Sequence, residues 1–304
     1  MADTLSRARA GRRHGGPPGE PGRIAYLYLA PALVVFALFL LFPLLRSVWL
    51  SLYEWNGLTV GTWVGLDNYT AVLTDPALRR PFLNALLLIG FFSFVPVVLG
   101  LGLAGLMARN PLRGSGFFRT VLFLPQVVAL VVVGVAWQDI FAPAGQLNGL
   151  LRWVGLDSWT RAWLGDPTFA LVTVGVVGTW VGTGLCVVLF LAGLAKVPRE
   201  LYEAARLDGA RPVREFFAVG LPALRGEIAV ALTLTVVAAL RTFDLVYVMI
   251  GSTGQSTRVP SYEVYDRAML KGEVGTGVTI ALLLTAVILV ATVLINRLAE
   301  RADS

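Results

Sequence analysis

Cysteine and histidine are almost absent from this chain of 304 residues, which has one of each. A disulfide within the chain needs two cysteines, so Cys186 cannot form one. A metal cluster built from thiolates or imidazoles needs several such side chains, so no metal site is expected. His14 lies in a polar N-terminal stretch, and we expect no catalytic role for it.

Lysine is also scarce, and its positions exclude a nucleotide-binding loop. The phosphate-binding Walker loop requires Gly-x-x-x-x-Gly-Lys followed by Ser or Thr. The chain has only Lys196 and Lys271, and neither lies in that pattern. If ATP drives the function, another polypeptide must hydrolyse it, and this chain is expected to bind no cofactor itself.

Charged residues make up only 14% of the chain, whereas 56% of its residues are hydrophobic. Because a soluble domain is roughly 45–50% apolar, this composition indicates a membrane protein. A helix needs about 20 residues to cross the hydrocarbon core of a bilayer. We predict an all-α integral membrane protein with six transmembrane helices, over residues 24–45, 85–108, 120–141, 169–194, 228–250 and 278–296.

The distribution of basic residues predicts which ends of these helices face the cytoplasm. Lys and Arg are retained on the cytoplasmic side, and here they are concentrated before the first helix, after the second and fourth, and at the C-terminus. Tryptophan, which favours membrane interfaces, is concentrated at the opposite ends. Both termini are therefore expected inside the cell. Residues 1–22 are expected to form a disordered basic tail, 23–300 the transmembrane domain and 301–304 a short C-terminal tail.

An intramembrane protease is the enzyme class to weigh against a non-catalytic role. It would need two Asp residues, or a Ser with a His, at membrane depth. Asp244 is the one Asp well inside a predicted helix, and no His lies in any of them. A protease is therefore a remote alternative, as is a purely structural scaffold, and we predict no catalytic residues.

A charged patch at residues 203–222 separates the fourth and fifth apolar runs. Pro198 suits the first turn of a helix, because its missing N–H costs nothing there, so we predict a short helix over 198–207. Gly209 can end this helix in the left-handed conformation, and Pro212 can begin a second one. The small side chains of the segment, with charged residues such as Arg206 at its edge, describe a helix-turn-helix on which a partner docks.

This segment resembles the EAA loop of importer permeases of the ATP-binding-cassette (ABC) type. The residues that match its consensus are Glu203, Ala204, Ala205, Asp208, Gly209, Ala210, Phe216, Leu221 and Pro222. Glu215 and Gly226 depart from the consensus, since Gln and Pro are usual there. The resemblance implies that residues 198–226 form a coupling helix that inserts into a groove on an ATPase subunit. Gly220 and Gly226 are expected to act as its hinge.

Other stretches are similar to the carbohydrate branch of these importers, in particular to the larger-type permease of maltose and glycerol-phosphate importers. They include Leu29-Ala30-Pro31-Ala32, Gly65-Leu66-Asp67-Asn68-Tyr69, Phe123-Leu124-Pro125 and Phe243-Asp244-Leu245. The resemblance implies a type I importer permease core (MetI-like) over about residues 80–298. It also implies a second homologous permease, two ATPase subunits that hold ATP and magnesium, and an extracytoplasmic sugar-binding protein.

The implied function is half of the translocation pathway of a sugar importer in a bacterial cell membrane. Nucleic-acid binding is not expected, because no basic stripe interleaves with aromatic residues. A permease for glycerol-phosphoryl diesters or polyols remains the alternative within transport.

Polar and aromatic residues within the predicted helices are candidates to line the path, because polar groups at membrane depth need a partner or water. The candidates are Gln126, Trp137, Gln138, Trp180, Arg241, Asp244 and Tyr247. Gln could hydrogen-bond sugar hydroxyls and Trp could stack on a pyranose face, but packing between helices is an alternative for each. Arg241 and Asp244 are three residues apart, so they could pair on one helix face or line an outer gate.

Overall fold

The computed structural model describes residues 22–109, 114–251 and 255–303, so nearly all of the tail predicted over residues 1–22 lies outside the described residues. Helix accounts for 79% of the chain, which confirms the predicted all-α class. The chain divides into two compact units, residues 1–49 and residues 50–304.

The first unit holds one long apolar helix. It consists of α1 (Gly22–Phe36), a π-helical segment (Ala37–Leu41) and α2 (Phe42–Leu50). None of its described side chains from residue 26 to residue 49 is buried within the chain. A helix that is apolar all round and has no buried face is suited to hydrocarbon surroundings, in keeping with the span predicted over 24–45.

The second unit is a helical bundle with one small hairpin. The hairpin pairs β1 (Tyr53–Glu54) with β2 (Thr62–Trp63) in antiparallel register. In chain order the helices are α3 (Asp67–Thr74), α4 (Pro76–Ile89), α5 (Val95–Arg109), α6 (Ser115–Val127), α7 (Leu130–Phe141), α8 (Gln146–Trp153), α9 (Ala170–Leu194), α10 (Arg199–Leu207), α11 (Pro212–Glu215), α12 (Leu221–Ala223), α13 (Arg225–Leu240), α14 (Asp244–Met249), α15 (Pro260–Tyr265) and α16 (Val274–Asp303). Short π-helical segments continue α4, α11 and α15, at Gly90–Phe94, Phe216–Gly220 and Asp266–Leu270.

The bundle of the second unit has two ends that differ in structure. We call one the loop end, where α9 ends and α13 begins beside residues 198–226, and the other the hairpin end. At the hairpin end, α16 begins beside β1, where the backbone N–H of Val274 donates to the carbonyl of Trp55 at 2.9 Å.

Five helical segments of the described chain are long and apolar enough to cross a membrane, and the number is six if the bent pair Pro212–Ala223 and Arg225–Leu240 is counted as one span. Six spans were predicted. The second span is longer than the predicted 85–108, since it runs over Pro76–Ala108. It begins earlier because the Asp75 carboxylate accepts a hydrogen bond from the backbone N–H of Ala77 at 2.9 Å, and Pro76 suits the first turn.

The third predicted helix, 120–141, is not continuous. It is broken at Val128 and Ala129, whose backbone is extended between α6 and α7. Pro125 has no N–H and therefore leaves the turn before this break short of one hydrogen bond. The prediction of a single span over 120–141 was wrong, and the apolar segment long enough to span runs over Leu130–Trp153 instead.

The fifth predicted helix, 228–250, is also broken. α13 ends at Leu240 and α14 begins at Asp244, so Arg241 does not share a helix with Asp244. Both side chains are exposed, and no ion pair in the described part of the chain joins them. The predicted pairing on one helix face was wrong, because the break removes the helical spacing on which it depended.

Glycines of α9 bring the neighbouring helices close to its axis. A Cβ atom on Gly178 would lie 2.1 Å from the ring of Phe92, and one on Gly184 would lie 1.9 Å from the carbonyl oxygen of Leu122. Close helix contacts at small residues are the usual mode of packing in membranes, where lipid is as apolar as the side chains. α9 is therefore the central helix of the bundle, and most of its residues are buried.

A network of ion pairs holds the segment between α14 and α16 at the hairpin end. The Arg258 guanidinium contacts the carboxylates of Glu263 at 3.2 Å and Asp266 at 2.7 Å. Arg267 contacts Glu263 at 2.8 Å and also pairs with Glu273, and Lys271 contacts Asp266 at 2.9 Å. The sequence analysis did not pair these basic residues with the acidic ones and missed the network.

The network determines how the Asp266 carboxyl titrates. Burial would raise its pKa, but the hydrogen bond from Lys271 and the charges of Arg258 and Lys271 outweigh burial, so the pKa is lowered. Because the pKa is lowered, this carboxylate stabilises the fold fully at pH values above the ordinary pKa of Asp, which is about 4. That contribution is lost as the pH falls through the lowered pKa.

Replacing Glu263 by Gln should destabilise the protein far more than the same change at Glu273, although both carboxylates contact Arg267. The side chain of Glu263 is 3% exposed and that of Glu273 is 44% exposed. Removing the buried partner leaves desolvated guanidinium groups without their counter-ion, so we expect Glu263→Gln to lower the free energy of unfolding by about 3 kcal/mol. Glu273→Gln should cost less than about 1 kcal/mol. Unfolding of the purified protein in detergent measures both, and equal losses would contradict this account.

Candidate functional site

The segment over residues 198–226 is a helix-turn-helix at the loop end of the bundle. α10 begins directly after Pro198, and Gly209 follows it with φ +77°, in the left-handed region. Pro212 is the first residue of α11. The predicted helix over 198–207, the left-handed Gly209 and the second helix that starts at Pro212 are all confirmed.

An ion pair closes this turn. Arg206 in α10 donates two hydrogen bonds to Glu215 in α11, from Nε to Oε2 and from Nη2 to Oε1, both at 3.0 Å. Glu215 is 7% exposed, so its carboxylate needs compensation, and Arg206 provides a positively charged partner. The hydrogen bonds that Arg206 donates to Glu215, together with the negative charge of that carboxylate, raise the pKa of Arg206. We call this pair the Arg206–Glu215 clamp.

The sequence analysis noted both clamp residues without joining them. It placed Arg206 among the charges at the edge of the segment and recorded Glu215 only as a departure from the consensus. The two residues are nine positions apart and lie on different helices, so no helical periodicity pairs them. Their pairing depends on the left-handed turn at Gly209, which brings α11 back against α10.

A cavity of about 640 Å³ lies between this helix-turn-helix and the bundle. Gly105 and Ala108 at the end of α5 line it, as do Leu194 and Ala195 at the end of α9. Tyr202 of α10 also faces the cavity, and burial, with the nearby charge of Glu215, raises the pKa of its phenol. The cavity is therefore lined both by the helix-turn-helix and by the ends of α5 and α9.

The junction with α13 is a sharp bend at Leu224. The helical segments Pro212–Ala223 and Arg225–Leu240 differ in direction by 72° across this fully buried residue. Leu224 packs where a side chain on Gly193 would meet it at 2.5 Å. Gly226 lies inside α13, two residues after the bend at Leu224, and Gly220 lies four residues before the bend, so the hinge role of these two glycines stays a prediction.

The nine residues of the EAA consensus are distributed between the free surface and the inner side of the segment. Exposed are Glu203, Ala204, Asp208, Gly209 and Pro222, and partly buried are Ala205, Ala210, Phe216 and Leu221. Large exposed apolar side chains lie beside them at Leu201, Leu207, Val213 and Phe217, and the sequence analysis did not single these out. Leu207 is 90% exposed and is followed directly by Asp208, so the tip of the turn presents apolar and acidic groups together.

Two of the path candidates meet within the bundle. Trp137 of α7 and Trp180 of α9 are in edge contact, with ring centroids 5.5 Å apart, and Trp137 also stacks on Phe141 at 5.3 Å. Gln126 and Gln138 are exposed and lie on opposite sides of the break between α6 and α7. The structure thus brings the tryptophans together and leaves the two amides on the surface of the chain.

Tyr247 belongs to an aromatic cluster beside the second break. Its ring lies 5.1 Å from Phe243, 6.0 Å from Tyr262 and 5.6 Å from Tyr265. The four-residue spacing of Phe243 and Tyr247 is visible in the sequence, but Tyr262 and Tyr265 come from α15 and were missed. Arg241 and Asp244 lie at the same break, both exposed.

Breaking the Arg206–Glu215 clamp should loosen the helix-turn-helix without unfolding the bundle. We expect Glu215→Gln to speed amide hydrogen exchange over residues 199–220 about three- to tenfold, because the buried carboxylate becomes a neutral amide and Arg206 loses its counter-ion. In the double variant Arg206→Gln with Glu215→Gln, exchange over these residues should be no faster than in Glu215→Gln alone. Lys196→Gln is the matched control, since its pair with Glu227 at 3.0 Å lies outside the turn. Unchanged exchange in Glu215→Gln would show that the clamp does not hold the turn.

Comparison with known proteins agrees with this architecture. Residues 97–304 match the family described as "Binding-protein-dependent transport system inner membrane component". A probable ABC transporter permease protein of Bacillus subtilis, YurN, is 37% identical over 85% of this chain and 89% of its own. NgcF, the diacetylchitobiose uptake system permease of Streptomyces coelicolor, is 33% identical over 98% of this chain and 92% of its own.

A chain of the bacterial alginate ABC transporter, crystallised with an alginate pentasaccharide-bound periplasmic protein, shares the fold. Its TM-score is 0.78 at 21% identity, over 92% of this chain and 94% of that one. The protein is thus a member of the binding-protein-dependent transport system inner membrane components, the non-catalytic permease subunits of ABC transporters whose ATP is hydrolysed by a partner ATPase.

Proposed function

We propose that this chain is one of two homologous permeases of a bacterial sugar importer, and that residues 198–226 couple it to the ATPase. The observation that carries the coupling role is the helix-turn-helix closed by the Arg206–Glu215 clamp, which presents Leu207 and Asp208 at its tip. The sugar class is supported by the diacetylchitobiose system, whose permease matches almost the whole of this chain.

Coupling requires that the helix-turn-helix moves as a rigid element. ATP and magnesium are held by the partner ATPase, and nucleotide binding there displaces the tip of the turn. The clamp keeps α10 and α11 together during this movement. The bend at buried Leu224 then transmits it to α13, and the contact of Leu224 with Gly193 transmits it to α9. These contacts are closely packed and hardly compressible, so the displacement is transmitted with little loss.

The two broken helices are the proposed path for the substrate. Irregular backbone at membrane depth is tolerated only where it is buried in protein or lines a water-filled cavity. The breaks at Val128–Ala129 and at Arg241–Phe243 lead into α7 and α14, which pack together where Gly134 meets Val248. Discontinuous helices of this kind form the substrate sites of many transporters.

Each path candidate has a role in this proposal. Gln126 and Gln138 hydrogen-bond hydroxyl groups of the sugar, and Trp137 and Trp180 provide apolar ring faces for a pyranose. Tyr247 extends the aromatic lining beyond the second break. Arg241 and Asp244 have opposite charges at one break and keep it close to neutral, which suits an uncharged sugar better than an anion.

Valine at Gly209 should uncouple ATP hydrolysis from uptake. A β-branched residue at φ +77° is strained by about 1–3 kcal/mol, so the turn would change its conformation. Gly155→Val is a matched control, because Gly155 has φ +78° and, like Gly209, open space around an added Cβ. We expect at least a tenfold loss of uptake by reconstituted vesicles for Gly209→Val and less than a twofold loss for Gly155→Val. Equal losses would mean that strain in general, and not this turn, causes the defect.

Reversing the charge at the tip of the turn tests docking of the ATPase separately from the backbone strain at Gly209. Asp208→Arg alters an exposed side chain and should leave the amount of protein in the membrane unchanged. Co-purification of the ATPase and ATP-driven uptake should both fall. Full uptake by this variant would refute the coupling role of the segment.

Replacing Trp180 by Ala should weaken binding of the sugar and leave the coupling to the ATPase unchanged. Loss of a stacking face corresponds to roughly 0.5–1.5 kcal/mol, so the KM for sugar uptake should rise about two- to tenfold. Trp153→Ala is the control, since Trp153 is 83% exposed at the end of α8. An unchanged KM with a lower maximal rate would favour a packing role for Trp180.

A further inference from the structure

The second span contains a π-helical turn at Gly90–Phe94, where the helical hydrogen bonds are shifted by one residue. The backbone N–H of Val95 donates to the carbonyl of Gly90, so it is not given to Phe91 as it would be in an α-helix. The next donor in the π-helical pattern would be residue 96, but Pro96 has no N–H. The carbonyl of Phe91 is therefore left without a backbone donor in either helical pattern.

A side chain of α9 supplies the missing donor. The hydroxyl of Thr179 donates to the carbonyl of Phe91 at 2.6 Å. Thr183, one turn later in α9, shows the usual alternative for a helical threonine, because its hydroxyl donates within its own helix to the carbonyl of Thr179 at 2.7 Å. Threonine side chains of neighbouring helices are one of the ways in which backbone groups freed by proline are satisfied in a membrane. The hydroxyl of Thr179 therefore compensates a carbonyl of another span.

This hydrogen bond lies in the face of α9 that packs against the second span. Gly175 and Gly182 lie on the same helix face as Thr179, four residues before it and three after it. A Cβ atom on Gly175 would lie 2.6 Å from the ring of Phe91, and one on Gly182 would lie 3.4 Å from the ring of Pro96. Glycines let two helices approach closely, whereas a hydrogen bond is directional. Thr179 therefore adds to this contact a bond that fixes the rotation of α9 about its own axis.

The π-helical turn is also bonded to α13, which keeps the acceptor of Thr179 in place. The hydroxyls of Ser93 and Thr235 lie 2.6 Å apart, and both side chains are buried. The hydroxyl of Thr235 donates to the carbonyl of Ala231 at 2.7 Å, so Ser93 is the donor in the pair. The turn is thus held between α9 and α13.

Trp180 follows Thr179 directly in α9, so a rotation of the helix at Thr179 moves its ring. The ring is 44% exposed and contacts the ring of Trp137 on α7. We propose that Thr179 is a positioning residue for the substrate path. By donating to the carbonyl that the π-helical turn and Pro96 leave free, its hydroxyl orients Trp180 toward the sugar. The inference rests on the proposed function, which gives Trp180 a ring face for a pyranose.

Replacing Thr179 by Val tests this role, because it removes the hydroxyl and keeps the shape of the side chain. We expect the KM for sugar uptake by the reconstituted transporter to rise about threefold, the typical effect of one hydrogen bond between membrane helices, with the maximal rate changed less than about twofold. Thr179→Ser keeps the hydroxyl and should restore the KM of the wild type. Thr183→Val is the matched control, since the hydroxyl of Thr183 bonds within α9, and it should leave the KM unchanged.

A double-mutant cycle separates positioning from a general loss of packing. If Thr179 acts through Trp180, then Thr179→Val should raise the KM no further once Trp180 is replaced by Ala. Independent effects would multiply, and multiplication of the two increases in KM would overturn the inference.

Fluorine NMR measures the position of the Trp180 ring without transport. The purified transporter is labelled with fluorotryptophan in lipid nanodiscs, and Trp180→Phe identifies the resonance of Trp180. We expect this resonance to shift in Thr179→Val and to keep its position in Thr183→Val. An unshifted resonance in Thr179→Val would show that the hydroxyl does not orient the ring.

The proposed function can fail separately from this positioning role. If Trp180→Ala leaves the KM unchanged, the substrate path through Trp180 is wrong, and the positioning role falls with it. If Trp180→Ala raises the KM and Thr179→Val does not, the path stands and the positioning role alone is wrong.

Discussion

Compensation of buried charge is the constraint on which both ends of this molecule depend. The chain has few charged residues, and a carboxylate withdrawn from water is stable only beside a cation or several donors. At the loop end, Glu215 meets this requirement with Arg206 and thereby closes the helix-turn-helix. At the hairpin end, Glu263 and Asp266 meet it with Arg258, Arg267 and Lys271, and the same contacts fix the segment that leads into α16.

Between these charged ends the bundle is held by close packing. α9 carries glycines where α6, the segment before α5 and Leu224 approach it, so backbone contacts replace the side-chain layers of a soluble core. This arrangement joins the two ends mechanically. Under the proposed function, a displacement of the helix-turn-helix would reach Leu224 and Gly193 first, and the central helix would then carry it toward the hairpin end.

The two helix breaks are the part of the bundle that differs from regular packing. α7 and α14 follow the breaks at Val128–Ala129 and Arg241–Phe243 and contact each other, while the four-ring cluster of Phe243, Tyr247, Tyr262 and Tyr265 joins α14 to α15. These two half-helices lie next to the ion-paired segment that leads into α16. Under the proposed function, the binding protein on one side and the ATPase on the other would both act on these elements, through contacts that the clamp and the ion-pair network keep rigid.

The sequence by itself determined the features that depend on composition or on the backbone preferences of single residues. Long apolar runs predicted six spans, and Pro198, Gly209 and Pro212 predicted a helix-turn-helix, because proline and glycine restrict the backbone wherever they occur. The consensus residues within that segment were enough to indicate the family. Roles in coupling and in the substrate path remain proposals for all of the residues named for them.

Only the tertiary structure decided which distant groups meet. The Arg206–Glu215 clamp, the bend at Leu224, the ion pairs around Arg258 and the contact of Trp137 with Trp180 join residues on separate elements, and no periodicity of the sequence relates them. The breaks of the third and fifth spans escaped prediction for the same reason. An apolar run of sufficient length indicates a helix in lipid, but whether the backbone leaves the helix within it depends on which neighbours pack there and accept the freed polar groups.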